Sequence, residues 1–184
     1  MTKKSVLVLV AVSTAWFADV GATAQSRDEF VPQHRRGRLR ADLRGFREVP
    51  AVSSSARGSF FATLSQDETE IQYRLDYSDL EGTVTQAHIH LGATHTNGGI
   101  SIWLCGTATN PGPTGTPGCG APGGDGPEAA GTLTATGIVG PAGQGIAAGE
   151  FAELVRAIKA GVTYANVHST AVPSGEIRGQ IKFE

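Results

Sequence analysis

From residue 38 to the C-terminus, apolar and polar positions alternate in short runs separated by Gly, Pro, Ser and Asp. That is the pattern of half-buried strands joined by turns. It predicts eight strands, at 38–43, 58–64, 70–77, 85–91, 100–104, 130–138, 163–169 and 176–183. In the third of these, Ile71, Tyr73, Leu75 and Tyr77 point one way while Gln72, Arg74 and Asp76 point the other. Eight such strands predict an all-β sandwich or barrel. One segment departs from the alternation: Phe151, Leu154, Val155 and Ile158 recur at helical spacing between Gly149 and Gly161. They predict one short amphipathic helix near 150–160 that closes one end of the barrel and stops at Gly161. The Gly-, Pro- and Thr-rich stretch 106–127 falls between two strands and reads as an extended loop, not an interdomain linker.

The first residues have a different logic. Lys3 and Lys4 precede an apolar run at 5–18, and Ala22-Thr23-Ala24 supplies a small-x-small cleavage pattern. Residues 1–24 are therefore predicted to be a signal peptide. The apolar run is shorter than the ~20 residues that span a bilayer, and no second one follows, so no transmembrane segment is expected in the mature chain. Residues 25–37, polar and carrying Arg35 and Arg36, are expected to form a flexible leader. One domain, 38–184, follows.

Cleavage after Ala24 removes Lys3, Lys4 and Asp19 and takes the net charge from −2 to −3. An acidic balance of this size predicts no general affinity for nucleic acid. The chain's two cysteines, Cys105 and Cys119, bracket part of the coreless loop. In an exported protein a Cys105–Cys119 disulfide is expected, stabilising by about 3 kcal/mol through loop closure. The alternative, a pair of metal-ligating thiolates, has a spacing that matches no zinc pattern.

The chemistry-bearing residues are histidines. His88 and His90 are two apart on a predicted strand and leave it on the same face. His168 lies on a later strand; if that strand is adjacent, three imidazoles form a site suited to copper or zinc, with copper favoured for an all-nitrogen donor set. His95, in the Gly-rich turn 92–99, is a candidate fourth ligand, and His34 falls in the leader. The structural alternative is that His88 and His90 bond loop backbone or Glu176, and that His168 serves Asn166 or a turn. No nucleophile elbow surrounds Ser53-Ser54-Ser55, no carboxylate pair is evident, and the glycines of 137–149 lack the Lys and spacing of a phosphate-binding loop.

Three segments carry a resemblance. The opening has Gly45-Phe46-Arg47-Glu48-Val49-Pro50-Ala51-Val52, followed by Ala56-Arg57-Gly58. The centre has Ala87-His88-Ile89-His90-Leu91-Gly92. The close has Tyr164-Ala165-Asn166-Val167-His168-Ser169 and Pro173-Ser174-Gly175-Glu176-Ile177-Arg178-Gly179-Gln180. Taken in order, they resemble the CHRD (chordin) domain family from about residue 38 to the end. The resemblance implies a Greek-key-like β-sandwich or barrel similar to the copper–zinc superoxide dismutase fold. By that analogy Arg178 takes the role of an arginine that guides an anion to the metal, although no second-ion cluster of histidine and aspartate follows the pair. Fold alone does not supply function, and three readings stand open. They are an exported binding module for a metal ion or an extracellular partner, a copper oxidoreductase similar to superoxide dismutase, and a structural or surface-assembly protein. All three place the protein in a periplasm or outside the cell.

Overall fold

The computed structural model describes residues 37–123 and 127–184. The predicted signal peptide and the predicted leader up to residue 36 lie outside the described residues. Nine strands appear in chain order among the described residues: β1 (Arg38–Arg44), β2 (Arg57–Leu64), β3 (Ile71–Ser78), β4 (Val84–Leu91), β5 (Ile100–Cys105), β6 (Ala129–Leu133), β7 (Thr163–Ser169), β8 (Ile177–Gln180) and β9 (Lys182–Phe183). A single α-helix, α1 (Phe151–Lys159), lies between β6 and β7.

The strands form one sheet in the order β5-β4-β7-β8-β1-β2-β3-β6, with β9 on β1, and every strand pairing in it is antiparallel. The two end strands approach each other: Ile102 of β5 bridges to Ile138 just past β6, and the Tyr73 hydroxyl of β3 donates to the Leu104 carbonyl of β5. The sheet is thus curled into a nearly closed barrel, the all-β fold the alternation predicts. Its interior is filled by one set of alternating side chains, among them Leu43, Phe60, Ile71, Leu75, Ile89, Leu104, Val167 and Ile177, each fully buried. Burying one aliphatic or aromatic side chain of this kind stabilises by about 1.5–3 kcal/mol. Helix α1 adds Phe151, Leu154, Val155 and Ile158 to the same core. It stops where Gly161 turns to a φ of +71°, a left-handed conformation that glycine adopts without steric cost.

Two strands differ from expectation. The run 130–138 is a strand only to Leu133, after which Ala135–Gly137 forms a tight 3-10 turn. The Thr132, Thr134, Thr136 alternation continues through that turn, but Thr134 and Thr136 bond each other through their hydroxyls. The run 176–183 divides at Ile181, whose N–H bonds the Thr163 carbonyl before Lys182 and Phe183 pair with β1. Strand β8 comes so close to β1 that a Cβ on Gly179 would stand 2.2 Å from the Asp42 carbonyl oxygen.

Cys105 and Cys119 form the expected disulfide, and no cysteine is free. It ties Cys119, past the middle of the long loop, back to the end of β5, where Gly106 also bridges to Gly118. No helix among the described residues is long and apolar enough to cross a membrane.

Candidate metal centre

The outer face of β4, β7 and β8 is polar, because the alternation that sends Ala87, Ile89, Ala165, Val167 and Ile177 inward turns their neighbours outward. Strand register then decides which of those neighbours meet. His88 pairs with Asn166, and Asn166 with Arg178, giving one row across three strands. The next row sets His90 opposite Tyr164 and Tyr164 opposite Gln180. His168 lies opposite Gln86, one position pair further along the same face.

The consequence is a cluster of His88, His90 and His168 in which one ring nitrogen from each lies within 4.8 Å of the others. His88 Nδ1 is 3.3 Å from His168 Nε2. The loops that follow the strands orient two of the rings. His90 Nδ1 donates to the Gly98 carbonyl at 3.0 Å, and His168 Nδ1 donates to the Pro173 carbonyl at 2.9 Å. Each bond fixes the tautomer and leaves Nε2 as a lone-pair donor, the arrangement that presents an imidazole to a metal. The Nε2 atoms of His88 and His90 are buried with no hydrogen-bond partner. Aromatic rings hold the cluster from the sides: Trp103 packs edge-on to His88 at 4.3 Å, and Tyr164 stacks flat on His90 at 4.8 Å.

All three rings are nearly inaccessible, at 0%, 7% and 7% exposed for His88, His90 and His168. Burial and the neighbouring His168 and His90 push His88 down to about 2. Burial, outweighing the hydrogen bond to Gly98, pushes His90 down to about 4, and burial also lowers His168 against the bond to Pro173. At neutral pH the cluster is therefore uncharged, the protonation state that binds metal ions.

The candidate fourth histidine is elsewhere. His95 is exposed on the turn of the β4–β5 loop with a φ of +65°, and it is not part of the three-residue group. Glu176 does not bond the histidines; its Oε1 accepts from the Ser54 hydroxyl and the Glu81 N–H, pinning two loops to the start of β8. Arg178 is 2% exposed. Its guanidinium donates to the Ala93 carbonyl at 3.1 Å and to Asn97 Oδ1 at 3.4 Å, and lies 3.4 Å over the Tyr164 ring. In strand order Tyr164 thus stands between His90 and Arg178.

Glu48, which the sequence reading gave no role, and Asn166, which it offered as a partner of His168, belong to the same network. Glu48, buried after β1, accepts a hydrogen bond from the Asn166 side-chain amide, which also donates to the Ile177 carbonyl. Burial pushes the Glu48 carboxyl up to about 7, against the pull of Asn166, Arg178 and the Val49 N–H. Gly175 makes room for this contact: its φ is +123°, and a Cβ there would meet both Asn166 amide atoms and Glu48 Oε1 at 2.8 Å. The available signal was the position of Glu48 and Asn166 inside the two segments that carry the family resemblance.

Fold and site together define a disulfide-stapled all-β domain with a buried three-imidazole cluster on the outside of its barrel. The CHRD domain matches residues 39–181, so the chain belongs to the CHRD domain family. Comparison with curated proteins and with solved structures returned no match. The extracellular type of the domain and the disulfide together point to export.

Proposed function

We propose that this protein is an exported CHRD-domain binding module that holds one copper ion on His88, His90 and His168. The observation that carries the reading is the pair of buried, unpartnered imidazole nitrogens within a group of three histidines. A buried polar atom without a partner costs about 1–3 kcal/mol, a cost that an ion bonded there would remove. The donor set is all imidazole nitrogen, for which copper outcompetes zinc among divalent ions. The bonds to Gly98 and Pro173 would keep two of the rings oriented toward the ion.

The burial of all three rings and the engagement of Arg178 with the loop backbone support holding an ion over turning over a substrate. A catalytic metal site keeps one position open to the reactant, whereas these rings are at most 7% exposed. The superoxide dismutase-like alternative calls for an opening of the 92–99 loop.

The test is elemental analysis of the mature protein followed by copper and zinc titration. One copper per chain is expected, with zinc weaker. His90→Ala removes one ligand and is expected to weaken copper affinity on the order of 100-fold, at or beyond the range seen when only an outer partner is lost. Equal copper uptake by the parent and His90→Ala would point to His34, His95 or the surface and overturn the assignment.

A further inference from the structure

The geometry points to a second site, separate from the histidine cluster: a basic pocket that binds a small organic anion, with a carboxylate or phosphate head on an apolar body. Its cavity is about 420 Å³ and sits on the outer face of β1, β8 and β9. Cations converge there for a register reason. Arg40 of β1 pairs directly with Lys182 of β9, both in the lining. Like charges placed opposite each other in a sheet repel. The turn after β1 adds Arg47 to the wall, whose guanidinium donates to the Asp42 backbone carbonyl and leaves its charge without a carboxylate.

The countercharge falls short. Of the four cations lining the cavity, Arg40 is paired with Glu184 at 2.6 Å. Among the described residues, Arg47, Arg178 and Lys182 form no ion pair. Asp42 is the single acidic residue in the lining. The excess is the reverse of the chain's own net charge of −2, so a bound anion would find a local field opposite in sign to that of the whole protein. Arg178 also lines the cavity and adds its charge to the local field, but it is almost wholly buried, its N–H groups already bond Ala93 and Asn97, and Glu48 acts on it. The carboxylate or phosphate oxygens of a ligand would be met by Arg47 and Lys182.

Size and rim argue for an organic ligand over a bare inorganic ion. The volume lies in the range of small-molecule pockets, roughly 300–1,000 Å³. Phe46, 73% exposed and part of the lining, is a large apolar side chain presented to water beside the cations. It would cover the ligand's apolar body and bury its own surface in doing so. His95 also lines this cavity. Asn166 separates Arg178 from His88 in the strand row, and the Tyr164 ring lies between the Arg178 guanidinium and the His90 ring, so none of the three histidines lines this cavity.

The experiment is calorimetric titration of the metal-free mature protein with benzoate, phenyl phosphate and inorganic phosphate, at low and high salt. One saturable site is expected for phenyl phosphate or benzoate, and the tighter of the two identifies the head group. Inorganic phosphate should bind more weakly, and added salt should weaken all three. The double variant Arg47→Gln, Lys182→Gln should bind at least tenfold more weakly. Phe46→Ala should weaken the two organic probes and leave inorganic phosphate unchanged. Both variants should keep the parent's melting profile and copper stoichiometry, so the outcome is independent of the metal assignment. The proposal is overturned if no probe saturates below roughly 10 mM, an affinity weaker than about 3 kcal/mol. It is also overturned if the double variant binds like the parent, or if Phe46→Ala leaves the organic probes unaffected.

Discussion

Replacing Glu48 by Gln should change the pH dependence of stability in a way that follows from the Glu48–Asn166 contact. Glu48 is 7% exposed, and its carboxyl is pushed from 4.5 up to about 7, chiefly by burial. Between those values the folded protein holds a proton that the unfolded chain releases. Stability from this group is therefore fully present below about 4.5 and is lost as pH rises through 7. The separation corresponds to about 3 kcal/mol. Glutamine keeps an oxygen to accept from the Asn166 amide but cannot ionise, so Glu48→Gln should lose none of it. Urea unfolding of the metal-free parent and variant at intervals from pH 4.5 to 8 gives the difference. The three histidines titrate alike in both chains and cancel. The variant is expected to gain about 3 kcal/mol relative to the parent across this range. Parallel stability profiles would refute the buried, proton-holding carboxyl.

Other outcomes are expected from the same structure. Thiol counting on the exported protein under denaturing, non-reducing conditions should find no free sulfhydryl, and mass spectrometry should place its N-terminus at Gln25. Replacing both Cys105 and Cys119 by Ser should lower stability by about 3 kcal/mol if loop closure is what the bridge contributes. Gly179→Ala would set a methyl group 2.2 Å from the Asp42 carbonyl oxygen, and chemical denaturation should show a loss of about 1–3 kcal/mol as β8 is forced off β1.

How much of this was legible in the sequence depended on the range of the interaction. Strand faces are local, so the shared face of His88 and His90 follows from their spacing of two. Helix α1 likewise announced itself through Phe151, Leu154, Val155 and Ile158 and its terminal glycine. Whether His168 joins the pair depends on β7 lying beside β4, a pairing between residues 80 apart. No periodicity carries that information; only the resemblance to a family implied it. Glu48 was harder still, since it sits in a turn and reaches Asn166 across 118 positions. The alternation overran at 130–138 because a threonine repeat has the same period of two whether or not a partner strand continues. His95 looked like a ligand by proximity in sequence, yet the left-handed turn holds it on the surface, where it lines the basic pocket.

The most direct measurement for the metal assignment is anomalous diffraction at the copper edge from crystals of the mature protein loaded with one equivalent of Cu(II). The account predicts one dominant peak, about 2.0 Å from a ring nitrogen of each of His88, His90 and His168, the usual distance for metal–imidazole bonds. It also predicts that the Nδ1 contacts of His90 to Gly98 and of His168 to Pro173 persist. A peak at His95 or elsewhere on the surface, with the three buried rings lacking copper, would contradict it.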